Sequence, residues 1–556
     1  MKLRIQVATS LVSFCALSSV GAQQVLRTYP GAGPNQNFGR AVGSAGDVDA
    51  DGFADVIVGD PLASGTFGYG GRAVVYSGRT GNQLFDFRGQ VVGARAGSAV
   101  CGLGDVNGDG HDDVAVGMAG VTFPSGPSNY AGVVHVYSGA DGSLIHQLDS
   151  PAMNSKFGSV ISAAGDFDGD GTPDFVVGDE YSGGGVIAAG RAQVFSGLTG
   201  AVLYTITGTS QTELLGQSVA GVGDVNGDGL DDIAIGSPRG SGRVQVRAGG
   251  SGALLLDVVG ANTDTQLGFS VSGAGDLDSD GVPDLLAGGR RDAFAISGAT
   301  GATLYSFRAQ GFNSADVGRQ NVASAGDFDR DGVRDIVIAN LHRNDSNILV
   351  ETYVLFVSGR TGTIVSRIDS ANPLHEFGAS IGSAGDLDCD GVPEVIVGAP
   401  ERNDSVAMGG EVRIYTFPAP ANYCDGVPNS TGVPGRLTAI GSTVVSNDDL
   451  LLRATQLPLN ATTFFLASRT TGSVNVGGGR LCLGGAIGRY VGPGQLLNSG
   501  AAGSAELRLH LTQMPTPNGF VPALSGQHWF FQAWHRDFVL GFPTSGLTEA
   551  IAVRFD

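Results

Sequence analysis

Charged residues and tryptophan are scarce in this chain of 556 residues. Asp, Glu, Lys and Arg together make up 15%, and only two residues are Trp. So little charge excludes a coiled coil and an acidic disordered chain. Lys and Arg number 32 against 53 Asp and Glu, for a net charge of −21. Because no basic stripe is evident, we expect no nucleic acid among the partners.

Long apolar runs are also missing beyond the N-terminus, so we expect no membrane span in the mature chain. The first residues are typical of a secretory signal peptide. Lys2 and Arg4 precede the stretch "VATSLVSFCALSSV", and Val20-Gly21-Ala22 is a small-residue cleavage site. The apolar stretch is too short for a membrane anchor. We predict that residues 1–22 are removed and that the protein is secreted, either extracellular or at the cell surface.

Cysteines number only five. Cys15 leaves with the signal peptide. Cys424 and Cys482 both lie in the C-terminal part, where they could pair in an oxidising compartment. We interpret Cys101 and Cys389 as free thiols.

Glycine, by contrast, is abundant, with 91 residues, and much of it belongs to a repeated acidic motif. The stretch "GDVNGDGLDDIAIG" around Asp224 is one of seven copies. Their first aspartates are 51 to 61 residues apart. Seven copies in one register, each followed by a short apolar run, indicate a repeat architecture.

The spacing within the motif suits a hard cation such as calcium, which takes six to eight oxygen ligands. Counting the first Asp as position 1, the side chains at positions 1, 3 and 5 can converge on one point. A glycine at position 6 permits the bend, and the carbonyl of position 7 can add an oxygen. An EF-hand would close the site at position 12, between helices. Here the acid stands at position 9 and the flanks are rich in Val, Ile and Ala, which favours a metal loop between two β-strands.

The predicted ligands of about seven calcium ions follow from this register. At position 1 they are Asp47, Asp105, Asp166, Asp224, Asp276, Asp327 and Asp386; at position 3, Asp49, Asn107, Asp168, Asn226, Asp278, Asp329 and Asp388; at position 5, Asp51, Asp109, Asp170, Asp228, Asp280, Asp331 and Asp390; at position 7, through the carbonyl, Phe53, His111, Thr172, Leu230, Val282, Val333 and Val392; at position 9, Asp55, Asp113, Asp174, Asp232, Asp284, Asp335 and Glu394. The alternative, a solvated acidic turn, does not explain why positions 1, 3, 5 and 9 stay carboxylate or amide in all copies.

Each of the first six repeats continues with a variable loop, a third strand, a glycine-rich turn, in most repeats of the form S-G-x-T-G, and a fourth strand. Four antiparallel strands per repeat are typical of a β-propeller blade. The fold class is therefore predicted to be all-β, with a seven-bladed β-propeller at residues 23–417, a linker at 418–423 and a small β-sandwich-like domain at 424–556. The last repeat supplies only three strands, and we predict that residues 24–31 add the fourth and close the ring.

The repeats resemble the FG-GAP repeats of integrin α-subunit propellers. Phe38-Gly39, Phe157-Gly158 and Phe377-Gly378 match the FG half, and Gly398-Ala399-Pro400 matches the GAP half. Some repeats depart from this pattern, such as the sixth, which has "IANL" in place of GAP. The resemblance implies calcium in the loops and a partner on the opposite face.

We find no catalytic constellation. "GASIG" at residues 378–382 matches G-x-S-x-G, but it lies in a strand, so no nucleophile elbow is expected there. Two functions stay open. One is an exported, monomeric adhesion or interaction module. The other is an extracellular propeller enzyme that hydrolyses polysaccharides or esters, with its site on the loop face opposite the calcium loops.

The loops between the second and third strands of the repeats vary most in length, which favours recognition. We hypothesise an anionic extracellular ligand, such as an acidic polysaccharide or a carboxylate-bearing protein loop, because arginine pairs with carboxylates or sulfates through two hydrogen bonds. Solubilising arginines are the alternative. The candidate ligand residues are Arg239, Arg290, Arg291, Arg343 and Arg402, with His342 beside them.

Overall fold

The protein is described here from a computed structural model. It describes residues 3–4, 24–31, 33, 36–64, 68–120, 131–150, 155–182, 188–308, 317–329, 331–343, 349–370, 375–387, 392–400, 409–417, 422–424, 429–431, 435–441, 450–476, 479–517, 519–524, 527–539 and 542–555. Two compact units divide the chain. One contains Val25–Phe328 and Val333–Thr416, and the other contains Phe417–Asp556.

The described part of the first unit forms seven sheets, six of four strands and one of five, which we number in chain order. Two strands precede them, β1 (Leu3–Arg4) and β2 (Gln24–Pro30). Sheet 1 has β3 (Ala41–Gly46), β4 (Asp55–Asp60), β5 (Arg72–Tyr76) and β6 (Gln83–Arg88); sheet 2 has β7 (Ala96–Gly104), β8 (Asp113–Met118), β9 (Val133–Tyr137) and β10 (Leu144–Asp149); sheet 3 has β11 (Val160–Gly165), β12 (Asp174–Asp179), β13 (Arg191–Phe195) and β14 (Val202–Thr207). Sheet 4 has β15 (Ser218–Gly223), β16 (Asp232–Ser237), β17 (Arg243–Arg247) and β18 (Leu254–Val259), with β1 parallel to β18; sheet 5 has β19 (Ser270–Gly275), β20 (Asp284–Gly288), β21 (Asp292–Ile296) and β22 (Thr303–Arg308). Sheet 6 has β23 (Val317–Ser324), β24 (Ile336–Arg343), β25 (Leu349–Val357) and β26 (Ile364–Asp369); sheet 7 has β27 (Ser380–Gly385), β28 (Glu394–Ala399) and β29 (Glu411–Thr416).

The sheets are the blades of a β-propeller. In each one the first strand is innermost, and the innermost strands contact one another in a closed cycle from β3 through β27 and back to β3. The fourth strand of sheet 7 is β2, which pairs with β29. The prediction that an N-terminal strand closes the ring is therefore confirmed. Apart from β1, the predicted signal peptide lies outside the described residues.

The hydrophobic core is divided into clusters, each between two neighbouring sheets. One cluster, for example, contains Ile57 and Val75 of sheet 1 together with Val100 and Val116 of sheet 2. The second strand of a sheet is covered on both sides, and all six residues of β4 and of β8 are buried. This burial explains the continuous apolar run after each acidic loop, because both faces of the strand meet other sheets.

Close glycine contacts join neighbouring sheets and give the FG and GAP residues a physical role. Gly39 has a φ of 88° and donates its N–H to the carbonyl of Gly59 at 3.0 Å. A Cβ on Gly398 would lie 2.1 Å from the Gly39 oxygen, so neither position accepts a side chain. The same contact recurs around the propeller, with Gly97 on Gly59, Gly158 on Gly117, Gly216 on Gly178 and Gly268 on Gly236.

Sheet 6 departs from the others in length. The sequence "ANLHRNDSNILVETY" at residues 339–353 suggests one long loop between the second and third strands, and this interpretation is wrong, because β24 continues to Arg343 and β25 begins at Leu349. Asn340 lies inside the strand, fully buried, and accepts a hydrogen bond from Gln320 Nε2 at 2.5 Å. The neighbouring strand thus supplies a donor to the buried Oδ1 of Asn340, and the sheet extends through a segment that looks like a loop in the sequence.

The second unit is also built of β-strands. Its larger sheet has the order β30 (Asn422–Cys424), β42 (Phe542–Arg554), β41 (His528–Val539), β33 (Thr462–Ser468) and β36 (Gly488–Arg489), with β37 (Leu497–Asn498) also paired to β33. A three-stranded sheet has β31 (Arg436–Gly441), β32 (Leu450–Thr455) and β38 (Ala505–Leu509), and two hairpins are β34 (Thr470–Val476) with β35 (Gly479–Gly484) and β39 (Met514–Thr516) with β40 (Gly519–Val521). Both larger sheets contribute to one core, which includes Leu452, Leu507, Phe531 and Ile551. Strand β30 begins at Asn422, inside the expected linker 418–423.

Candidate metal centres

The acidic loops connect the first and second strands of their sheets, so all of them lie at the same end of the strands. We call them cation loops 1 to 7 after their sheets. The turn between the third and fourth strands lies at this end as well. In sheet 1 the backbone N–H of Gly78, in that turn, donates to Asp55 Oδ1 at 2.8 Å. Loop and turn are therefore joined into one rigid feature.

Four of the cation loops bring three carboxylates together. In each, positions 1, 3 and 9 offer one oxygen apiece, and these oxygens all lie within 4.8 Å of one another. The four clusters are Asp47, Asp49 and Asp55; Asp166, Asp168 and Asp174; Asp276, Asp278 and Asp284; and Asp327, Asp329 and Asp335. In loops 2 and 4 position 3 is Asn, and in loop 7 Asp388 and Asp390 lie outside the described residues.

Backbone N–H groups hold the position-1 carboxylate in place. In loop 2, Asp105 Oδ1 accepts hydrogen bonds from Gly108 at 2.7 Å and Asp109 at 3.1 Å, and Oδ2 accepts one from Gly110 at 2.8 Å. Loop 4 repeats the pattern at Asp224. The turn thus fixes the position of this side chain, and a fixed ligand lowers the entropy cost of binding.

The position-9 carboxylate is fully buried and joins three parts of the blade. Asp55 Oδ2 accepts the N–H groups of Val48 at 2.8 Å and Asp49 at 3.3 Å, while Oδ1 accepts that of Gly78. The arrangement recurs at Asp113 with Val106 and Gly139, Asp174 with Phe167 and Gly197, Asp232 with Val225 and Gly249, Asp284 with Leu277 and Gly298, and Asp335 with Phe328 and Gly359. Glu394 accepts the N–H of Leu387 in loop 7.

The donor set fits a divalent cation. Asp49 Oδ1 is buried and makes no hydrogen bond to the described residues. Burial, reinforced by the charge of Asp51, raises the pKa of Asp49, and burial raises the pKa of Asp55 to about 6. Crowded, partly desolvated carboxylates of this kind are stabilised by a positive charge. Calcium is the hard cation that prefers carboxylate and carbonyl oxygens, and positions 1, 3 and 9 would hold it.

The position-5 carboxylate is not part of these clusters. Asp51 Oδ1 accepts the N–H of Phe53, at position 7, at 3.0 Å, and Asp170 bonds in the same way to Thr172. The residues at position 7 therefore lie in the same turn as the predicted side-chain ligands. The structure unites three of the four predicted acidic positions, and positions 5 and 7 stay predicted ligands.

The arginines predicted to bind a ligand differ in their surroundings. Arg239 is exposed in the loop between β16 and β17. Arg290 lies 3.5 Å from Asp264 Oδ1, and Arg291 is buried. Arg343 is the last residue of strand β24 and does not lie in a loop, and it pairs with Glu376 at 2.5 Å. Arg402 lies outside the described residues. Acidic neighbours thus offset the charges of Arg290 and Arg343. Among the candidate arginines that the structure describes, Arg239 is the exposed one.

The serine of the G-x-S-x-G match has a structural contact. Ser380 lies in β27, and its hydroxyl donates to the carbonyl of Gly39 at 2.7 Å. Ser218 and Ser270 make the same type of bond in sheets 4 and 5, to Gly268 and Gln320. Ser380 therefore belongs to a repeated set of hydroxyls that join an innermost strand to the backbone of the next sheet.

Cys482 is disulfide-bonded, and Cys101 is a free thiol. Cys482 lies in β35, which packs against β42, and β42 also pairs with β30, the strand that ends at Cys424. This arrangement supports the predicted Cys424–Cys482 bond, which stays a prediction. Cys389 lies outside the described residues.

Comparison with known proteins agrees with the repeats. Residues 215–254 match the family model "FG-GAP repeat", and residues 105–177 match "FG-GAP-like repeat". Integrin alpha-3 of Cricetulus griseus is 32% identical over 174 residues, which cover 29% of this chain and 16% of the integrin. Integrin alpha-5 of Xenopus laevis is 30% identical over 206 residues, covering 34% and 19%. The chain thus matches less than a fifth of the length of each of these two integrins.

These matches, the glycine contacts and the acidic loops define an all-β protein with FG-GAP repeats. It has an integrin-α-like β-propeller. A solved structure entitled "Structure of Dos1 propeller" is 10% identical, covering 72% of this chain and 96% of that chain, with a TM-score of 0.42; the fold assignment rests instead on the sheets and the repeats. Among the described residues, no helix has the length and apolar character needed to cross a membrane.

Proposed function

We propose that this protein is an exported calcium-binding interaction module that displays a recognition surface on a rigid propeller. The observation that carries the proposal is the set of three-carboxylate clusters at one end of the strands. Carboxylates crowded together at equivalent positions of several sheets repel one another and so oppose folding. A calcium ion bound among them would turn each cluster into a link that stabilises the fold. The similarity to integrin α-chains supports binding rather than catalysis.

About seven calcium ions are proposed, one in each cation loop. The net charge supports this number. Without Lys2 and Arg4 the chain would carry −23, and seven calcium ions would bring this to −9. Extracellular calcium-binding modules have dissociation constants of about 10⁻⁴–10⁻³ M. Such weak sites suit a location outside the cell, which agrees with a signal peptide at residues 1–22.

The partner surface is proposed at the end of the strands opposite the cation loops. The loops between second and third strands lie there, and they vary in length while the cation loops do not. Arg239 and the aromatic side chains of Tyr69 and Tyr181 are exposed on this side. An anionic polysaccharide or an acidic protein loop is the ligand class proposed, because Arg239 is unobstructed on an otherwise acidic protein.

The test combines calcium binding with a ligand screen. The full chain without its signal peptide is applied to glycan and extracellular-protein arrays, with calcium and with a chelator. We expect calcium-dependent binding that Arg239→Glu weakens at least tenfold. Arg508→Glu is the matched control for net charge, because Arg508 is an exposed arginine of strand β38 in the second unit. Equal loss in both variants would show that net charge, not the proposed surface, governs binding. A chain that binds no calcium contradicts the proposal.

A further inference from the structure

Two cation loops carry an aspartate that belongs to none of the predicted ligand sets. Position 8 is Asp112 in loop 2 and Asp231 in loop 4. These are also the two loops in which position 3 is Asn. The Asn at position 3 and the Asp at position 8 are visible in the sequence as "NGDGHDD" and "NGDGLDD". The role of the position-8 Asp appears in the contacts between neighbouring loops.

Asp112 contacts the preceding loop through its side chain and its backbone. Its Oδ2 accepts the N–H of Asp47 at 2.7 Å, and its own N–H donates to the carbonyl of Asp47 at 3.2 Å. Beside it, His111 Nδ1 lies 2.8 Å from the carbonyl oxygen of Val48. Asp47 is position 1 of loop 1, so a residue of loop 2 fixes the backbone of the first predicted ligand of loop 1.

Loops 3 and 4 repeat this pair of bonds. Asp231 Oδ2 accepts the N–H of Asp166 at 3.0 Å, and the Asp231 N–H donates to the carbonyl of Asp166 at 3.1 Å. Asp166 is again position 1 of its loop. Two independent boundaries between sheets thus carry the same link.

Three other boundaries cannot form it. Position 8 of loops 3, 5 and 7 is Pro173, Pro283 and Pro393. Proline has neither a backbone N–H nor a carboxylate, so it can replace neither bond. The cation loops therefore differ by chemistry, with loops 1 and 2 joined, loops 3 and 4 joined, and no such link from 2 to 3, from 4 to 5 or from 6 to 7.

We propose that Asp112 and Asp231 couple cation binding within these two pairs of loops. The inference rests on the calcium role proposed above. An ion in loop 2 orders positions 5 to 9, which include Asp112, and Asp112 then holds Asp47 in the conformation that loop 1 needs. Coupling between two binding sites is reciprocal, so an ion in loop 1 favours binding in loop 2 by the same factor.

The test disables one loop and measures the other. Calcium is titrated into the full chain in competition with a chromophoric chelator, for the wild type, Asp105→Ala in loop 2 and Asp276→Ala in loop 5. Both variants should bind one ion fewer than the wild type. In Asp105→Ala one remaining ion should bind more weakly, by roughly 5- to 150-fold, the usual range of coupling between sites. Asp276→Ala is the matched control, because the flanking position-8 residues, Pro283 and Arg334, offer no carboxylate.

Further variants separate coupling from general damage. Asp112→Ala should weaken one ion by a similar factor and leave the number of ions unchanged. If circular dichroism shows that the Asp105→Ala variant does not fold, the Asp224→Ala variant repeats the experiment on loops 4 and 3. Wild-type affinity for every remaining ion in Asp105→Ala or Asp224→Ala would overturn the coupling and leave the calcium role intact. Absence of calcium binding in the wild type would overturn both.

Discussion

At the scale of single residues, the position-9 aspartate acts as both a candidate ligand and a structural link. Asp113 accepts the N–H groups of Val106 and Gly139 and is fully buried, whereas Asp109 of the same loop is exposed. Asp113→Ala would leave two buried donors unsatisfied, so we expect a loss of about 2–4 kcal/mol in the free energy of unfolding even in chelator. Asp109→Ala should cost less than about 1 kcal/mol there. Urea unfolding in chelator measures both, and equal losses would contradict the structural role.

The same burial predicts a pH dependence of the metal-free protein. Burial raises the pKa of Asp113 and Asp174 to about 6, above the ordinary value near 4. The folded state then holds the proton more tightly than the unfolded state. The ionised groups therefore cost stability, a cost that is absent below about pH 4 and complete above about pH 6.

We accordingly expect the difference in unfolding free energy between the chelated wild type and Asp113→Asn to change between about pH 4 and pH 6 and to stay constant at higher pH. Protons and calcium compete for these groups, so the calcium affinity of the wild type should fall as the pH drops below about 6. A calcium affinity that is the same at pH 5 and pH 7.5 would show that the position-9 groups do not bind the ion.

At the scale of single elements, β2 holds the two ends of the propeller together. It pairs with β29 of sheet 7, while Arg27 donates to the carbonyls of Ser77 at 3.1 Å and Arg79 at 2.7 Å in sheet 1. Tyr29 stacks on Tyr76 of sheet 1 at 4.3 Å between ring centroids. One strand therefore contacts both the last and the first sheet.

Deletion of residues 24–31 should leave β29 as an exposed edge, with a lower melting temperature and aggregation as the result. Arg27→Ala keeps the strand and removes two hydrogen bonds from a half-exposed side chain, so a loss of about 1 kcal/mol is expected. Light scattering and thermal unfolding separate the two variants. A monomeric deletion variant with the wild-type melting temperature would refute the role of β2 in ring closure.

The strands of the regular sheets could be predicted from the sequence because position 9 and the apolar run after it recur in one register. The extension of β24 in sheet 6 could not. This part of β24 contains Asn340 and His342, whose polar side chains suggest a loop, and it is a strand through its pairing with β23 and β25. The aspartate at position 8 can also be read from the sequence. The role of Asp112, however, depends on its contact with a neighbouring sheet, and no local pattern shows which loops meet.

At the scale of the whole molecule, calcium and the disulfide bond are expected to stabilise different units. At ten times its dissociation constant each bound ion contributes about 1.4 kcal/mol, so seven independent ions would add about 10 kcal/mol to the propeller. The described cysteine of the propeller, Cys101, is free. A Cys424–Cys482 bond would stabilise the C-terminal unit by about 4 kcal/mol.

The two effects can be separated because both tryptophans, Trp529 and Trp534, lie in the C-terminal unit. Calorimetry follows both units, whereas tryptophan fluorescence follows this one. We expect chelator to lower the calorimetric transition of the propeller and to leave the fluorescence transition in place. Reductant, or the Cys424→Ser substitution in its place, should lower the fluorescence transition of the C-terminal unit and leave the calorimetric transition of the propeller in place. A fluorescence transition that chelator shifts as far as the calorimetric one would mean that the two units unfold together, and calcium would then stabilise the chain as a whole.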